Sequence, residues 1–233
     1  MEQLKFALGP YEIFAGIIGG SPLVFAVFLI FNPAGSLQEL FLIFKDNLTT
    51  LLILLGAFFS YILGGSIQSL SWKYFAFVCD RLGRSYFYFG DMIMQKHAQL
   101  PVDKPLGAIA DMEFEERLVL LLRDRIGIPK QQQQRWLEDR LASYLKASGS
   151  QAPAAAELHL ANHIMYRNLS LGFILLAVAF LINLLRTQSS LLNQLLFMAL
   201  LLFMAYTAFF RALSFKKWHN RELLMGFYFS TCR

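Results

Sequence analysis

The chain has 233 residues, 56% of them hydrophobic and 16% charged, with a mean hydropathy of +0.47 and a net charge of +5. A soluble domain carries about 25% charged residues, so this composition excludes an ordinary soluble fold unless an outsized core hides the excess. The excess falls in four apolar blocks. The basic balance is then read as membrane orientation, and nucleic acid is not expected as a partner.

The opening MEQLKFALGPYEIF lacks the charged, apolar, small-residue order of a cleaved signal peptide, so the first block is expected to stay in the mature protein. That block runs from Tyr11 to Phe31, with Gly16 and Gly20 four apart on one helix face. Pro22 removes a backbone hydrogen bond there. In lipid the freed carbonyl needs another donor, and Ser21 or a neighbouring helix is the expected source. An ordinary kink is preferred to a pore-lining hinge.

NPAGS, from Asn32 to Ser36, reads as a turn, and LQELFLIFKDN after it lies in the interface or begins the next helix early. The second block, Leu51 to Leu70, holds no formal charge. At 1.5 Å per residue it is long enough to cross a hydrocarbon core of about 30 Å. Gly56, Ser60 and Gly64 recur every fourth residue, a face that lets another helix approach closely.

A long insert follows, from Ser71 to Arg167. In its aromatic first part Trp72, Phe75, Cys79, Leu82, Tyr86, Phe89 and Ile93 keep helical spacing. An amphipathic helix leaving the membrane explains them better than a nucleotide-stacking sheet, since no glycine-rich phosphate cradle accompanies them. LPVDKPLGAIAD is a loop, and Asp111 is the expected N-cap of a helix that Gly127 and Pro129 stop. A second helix is expected from Lys130 to Lys146, burying Trp136, Leu137, Leu141 and Leu145. The pair superficially matches a helix-turn-helix. However, the segment from Ser71 to Asn168 holds thirteen Lys/Arg against eleven Asp/Glu, too even for a phosphate-binding face.

SGSQAPAAA, from Ser148 to Ala156, reads as a linker. From Glu157 one helix is expected to run unbroken into the third block, Leu169 to Leu185, and RTQSS turns the chain into the fourth, Leu191 to Phe210. The two form a helical hairpin. The remaining tail is basic and amphipathic.

The expected fold is therefore an all-α membrane protein with four transmembrane helices and an inserted helical domain. Residues 1–70 carry the first two helices, 71–167 a cytoplasmic domain, 168–212 the hairpin of helices three and four, and 213–233 the tail. Arg167 and the cluster Arg211, Lys216 and Lys217 put the insert and both termini in the cytoplasm, because basic loops stay inside. Cys79 and Cys232 both face the cytosol on this topology, so no structural disulfide is expected.

Little in the chain points to chemistry. His159 and His163 are spaced four apart as two metal ligands would be, but no HExxH pattern or third ligand accompanies them, and packing histidines are preferred. Cys79, Asp80, Arg81 and Arg84 lack the pattern of a lipid-transfer enzyme, and no GxSxG motif appears. No catalytic residue, metal site or cofactor is expected, and the chain is read as no enzyme. The absence of ionisable residues well inside the spans argues against coupled transport but not against a pore.

Gly16, Gly20, Gly56, Ser60 and Gly64 are the expected helix-packing and oligomer residues. Lys73, Arg167, Lys216, Lys217 and Arg221 are expected at anionic lipid headgroups. The first functional expectation is a homo-oligomeric scaffold or sensor of the bacterial inner membrane whose cytoplasmic domain binds a soluble partner. The second is an oligomeric ion channel or membrane-depolarising effector gated through that domain. The layout of short spans around a small cytoplasmic domain resembles the membrane subunits of bacterial anti-phage defence operons, such as the Kiwa type. The resemblance is architectural and carries no residues over; it implies a cytosolic effector as the partner.

Overall fold

A computed structural model describes residues 10–33, 39, 42, 45, 49–86, 113–127, 134–187 and 191–231. Among the described residues the chain forms seven bounded helices and no strand. They are α1 (Pro10–Phe31), α2 (Thr50–Ser66), α3 (Gln68–Arg81), α4 (Phe114–Arg125), α5 (Gln134–Ala147), α6 (Ala152–Thr187) and α7 (Leu191–Thr231). The all-α expectation holds.

Two helices, α6 and α7, are long and apolar enough to cross a membrane, and the bent pair α2–α3 makes a third candidate. The described apolar part of α1 is shorter, Ala15–Phe31. Pro22 lies within α1, and the carbonyl it deprives of a donor is that of Ile18. Ser21 Oγ donates to that carbonyl at 2.9 Å, the local repair expected from the sequence.

The helices sort into two units. The first comprises Met1–Leu82 and Ala161–Ser214, the second Gly83–Leu160 and Phe215–Arg233. Both α6 and α7 contribute residues to each.

Within the first unit, α1 and α2 pack at close range along their small residues. A Cβ on Gly20 would run into the backbone of Ser60 and Gly64, and one on Gly64 into the backbone of Gly16. Gly16, Gly20, Ser60 and Gly64 thus meet between α1 and α2 of one chain. Gly56 has nothing within 4 Å of where a Cβ would stand. A second contact region gathers Ala26 and Leu29 of α1, Leu176, Ala179 and Phe180 of α6, and Leu201 of α7. Gly172 permits this approach, because Pro22 lies 3.2 Å from the position its Cβ would take. Arg186 Nη1 donates to the Ile30 carbonyl at 2.9 Å at the end of α1.

The second unit has a core of its own. Leu118, Val119, Leu121 and Leu122 of α4, Leu137, Leu141 and Leu145 of α5, Ala156 of α6, and Leu223, Leu224 and Phe227 of α7 bury one another. Helix α4 ends at Gly127 (φ +73), and Arg140 Nη1 caps it by donating to the Ile126 carbonyl at 2.6 Å. Glu113 occupies the N-cap without a side-chain capping bond; Asp111, the expected cap, lies outside the described residues. The side chains of Trp136 and Pro129 are outside them too.

Four expectations change here. SGSQAPAAA is no linker: Gly149 (φ +72) turns the chain sharply, Ser150 N–H donates back to the Leu145 carbonyl at 3.0 Å, and α6 begins at Ala152. The close fit of Ala152 against Gly226 then seats α6 on α7. The tail is equally part of this core, because Leu223, Leu224 and Phe227 are buried within it. The unit boundaries also depart from the expected 71–167 domain, since Gln68–Arg81 groups with the first unit. Phe75 and Cys79, read as the apolar face of a helix leaving the membrane, are fully buried there.

Candidate functional site

The most polar place in the first unit is the break between α2 and α3. The two helices meet at Ile67 with a bend of 54°. Gly64 and Gly65 immediately before it weaken the helix and leave room for neighbours. A bend in an apolar setting leaves carbonyls short of donors, which is costly unless another group supplies them.

Asn168 of α6 supplies one, and Arg167 adds a further donor at the first turn of α3. Asn168 Nδ2 donates to the Gly64 carbonyl at 3.0 Å, and Arg167 Nη2 to the Gln68 carbonyl at 3.3 Å. Arg167 Nε donates to Ser71 Oγ at 3.0 Å. The Ser71 hydroxyl is 2.6 Å from Asn168 Oδ1 and 3.0 Å from the Gln68 carbonyl, and its single proton makes the shorter bond the stronger. Ser71 and Asn168 are fully buried and Arg167 is 7% exposed.

Arg167 has no carboxylate partner among the described residues. Its charge is held by dipoles and by the face of Trp72, 5.2 Å from the guanidinium carbon to the ring centroid. His163 completes the cluster. Its Nδ1 lies 2.9 Å from the Ala212 carbonyl, which fixes the proton on Nδ1 and leaves Nε2 to accept from Arg167 Nη1 at 3.4 Å. Phe75 meets the His163 ring edge-on at 4.9 Å. One turn on, Ser170 Oγ donates to the Ala205 carbonyl at 2.8 Å and takes a bond from Tyr74 at 3.1 Å. Helices α3, α6 and α7 are thus joined by polar bonds where an apolar bundle would rely on packing alone. Beside the break lies a groove of about 620 Å³ whose walls include Gly16, Tyr61, Gly65, Ser66, Gln68 and Ala161.

The second unit holds its own buried ion pair, Lys216 Nζ to Glu138 Oε2 at 2.8 Å. His219 Nε2 stands 3.8 Å from the same oxygen, and its Nδ1 is 2.8 Å from the Ala156 carbonyl. Burial lowers the His219 pKa below its ordinary value, and nearby Lys216 and His159 act the same way. The Ala156 carbonyl and Glu138 oppose them. His219 is therefore a neutral donor to Ala156.

The cations expected at headgroups divide accordingly. Lys73 and Arg221 are exposed and Lys217 is half-buried. Arg167 and Lys216 are buried against protein, at the bend and at Glu138, which corrects their assignment to lipid. Their partners lie 96 and 78 residues away in the chain, a distance no local pattern reveals. Among the described residues no group of three His, Cys, Asp or Glu gathers to hold a metal.

The described residues define an all-helical protein with two or three helices fit to cross a membrane, in which a buried arginine–asparagine–serine network joins α6 to the broken pair and Ser170 joins α6 to α7. No family model matches the chain, and no curated protein or solved structure matches it.

Proposed function

We propose that the chain is a four-span protein of the bacterial inner membrane, with α1, the bent pair α2–α3, α6 and α7 as spans and both termini cytoplasmic. It acts as a homo-oligomeric scaffold or sensor whose second unit binds a soluble cytoplasmic partner. The observation that carries this reading is the second unit itself. Its described residues build a leucine-rich core, the pattern of a water-soluble helical domain, and it shares two continuous helices with the apolar first unit. Those helices run from residues of the second unit into residues of the first. The architectural resemblance to membrane subunits of anti-phage defence operons favours a cytosolic effector as that partner.

The test is purification of the tagged protein from its native cell in gentle detergent, with the native mass and the co-purifying proteins as readouts. A soluble protein in fixed ratio supports the scaffold. A bare oligomer with no partner moves the reading to the second function, an ion channel or depolarising effector. That alternative draws its support from the helix break at Ile67 and the adjoining groove, since broken spans next to cavities line permeation paths in membrane proteins. Ion flux in liposomes would then decide it.

A further inference from the structure

Arg167 carries its positive charge at 7% exposure, and no carboxylate among the described residues pairs with it. A buried charge without a counter-charge is costly. Of the five N–H donors on a guanidinium, Nε is spent on Ser71, one on Nη1 is spent on His163, and one on Nη2 is spent on the Gln68 carbonyl. The second N–H on each Nη has no acceptor among the described residues.

Those donors stand at the inner wall of the groove of about 620 Å³ beside the α2–α3 break. Side chains on a helix lean toward its amino end, and the contact with His163, one turn back, shows that Arg167 does so. That brings the guanidinium level with Ile164, a wall residue on α6. It is also within 3.3 Å of the carbonyl of Gln68, a wall residue on α3. All of these residues belong to the first unit. The break supplies further donors. Ile67 N–H still reaches the Leu63 carbonyl and Ser71 N–H reaches that of Ile67, so α3 starts a new first turn at Gln68. The N–H groups of a first turn lack helical acceptors, and Ile67 offers no side-chain cap. Together with the helix dipole they favour negative charge. A cation finds less here. The Leu63 and Gly65 carbonyls accept from Ile67 N–H, and the Gly64 carbonyl accepts from Asn168. None of the described wall residues is acidic, so nothing among them repels an anion.

We propose that the groove at the α2–α3 break binds a small inorganic anion, such as chloride or phosphate, between the Nη groups of Arg167 and the amino end of α3. The anion supplies the counter-charge that the chain itself does not. The site depends neither on the number of spans nor on a partner of the second unit.

The experiment follows thermal unfolding of the purified full-length protein in detergent at fixed ionic strength, exchanging gluconate for chloride or for phosphate. Gluconate is the reference because it is too bulky to reach a guanidinium this enclosed. Wild type should melt about 3–6 °C higher in chloride or phosphate once that anion exceeds its Kd about tenfold. Arg167→Gln should lose the shift. Because Arg167 also braces α3, Gly65→Leu serves as a second variant. A Cβ there meets nothing within 4 Å, so the side chain can fill the groove while Arg167 stays in place. It should fold, with circular dichroism as the check, and lose the shift as well. No shift in wild type with either anion, or a shift retained by either folded variant, would overturn the site.

Discussion

The two units differ in what they expose. The first leaves Leu51, Leu54, Phe58, Leu192, Leu196 and Phe203 exposed, and among its buried residues are Ser60, Ser71, Arg167, Asn168, Ser170, Asn183 and Gln194. The second closes a leucine-rich core with Phe227 and buries the Lys216–Glu138 pair beside it. On the membrane reading proposed above, the difference follows the solvent around each unit. In water, apolar burial holds helices together. In lipid the surroundings are as apolar as leucine, so association relies on small-residue contacts and interhelical hydrogen bonds. Gly20 against Ser60, and Asn168 across to Gly64, are those two devices.

The largest expected effect tests this contrast in exposure directly. Phe227→Ala should destabilise the second unit by about 3–5 kcal/mol, the cost of a large cavity in a packed core. Leu202→Ala, at a side chain 52% exposed in the first unit, should change stability by less than about 0.5 kcal/mol. Thermal unfolding in detergent followed by circular dichroism compares the two. Equal losses would break the comparison.

Gly20→Leu comes next, because its side chain has backbone on the far side and α2 must move away. A loss of about 1–3 kcal/mol or more is expected, with aggregation on size-exclusion chromatography as the visible sign. Gly56→Leu meets no atom of its own chain and should fold normally. If Gly56 packs on a second copy, as the oligomer reading requires, this variant should shift native mass towards monomer.

Asn168→Ala removes the donor to Gly64 and the acceptor of Ser71. A loss of about 1–3 kcal/mol is expected, as for buried groups left without partners. Its effect should exceed that of Ser214→Ala, whose hydroxyl only bonds its own helix at the Phe210 carbonyl.

The smallest effect is a pH dependence confined to the second unit. Because burial lowers the His219 pKa in the folded state, its neutral form contributes stability above the unfolded value of about 6.5. That contribution declines as pH falls below it. The midpoint of unfolding should therefore drop between pH 7 and 5, and His219→Asn, whose amide can still donate to Ala156, should flatten the slope.

Much of the helical layout was legible because its signals are local. Hydrophobic length marked the apolar blocks, Gly127 ended α4, and Pro22 with Ser21 announced both a defect and its repair. Ser148–Ala156 was misread because Gly149 and Ser150 make a tight helix–helix turn with the same residues that make a linker. The cations were misread for another reason. Arg167 and Lys216 sit at the ends of apolar blocks just as Lys217 does, and only Ser71, Gln68 and Glu138, far away in the chain, bury them. The tail shows the same limit, since an amphipathic helix fits a membrane surface or a protein core and the partner decides which.

The central claim is that the second unit lies in the cytoplasm and the first spans the membrane four times. Cys79 is buried and a poor probe, so single cysteines belong at exposed positions in a Cys79→Ala, Cys232→Ser background, one replacing Asn32 and one replacing Glu157. A membrane-impermeant maleimide applied to intact spheroplasts should label the Asn32 site and reach the Glu157 site only after lysis. Labelling of the Glu157 site in intact spheroplasts would contradict the account.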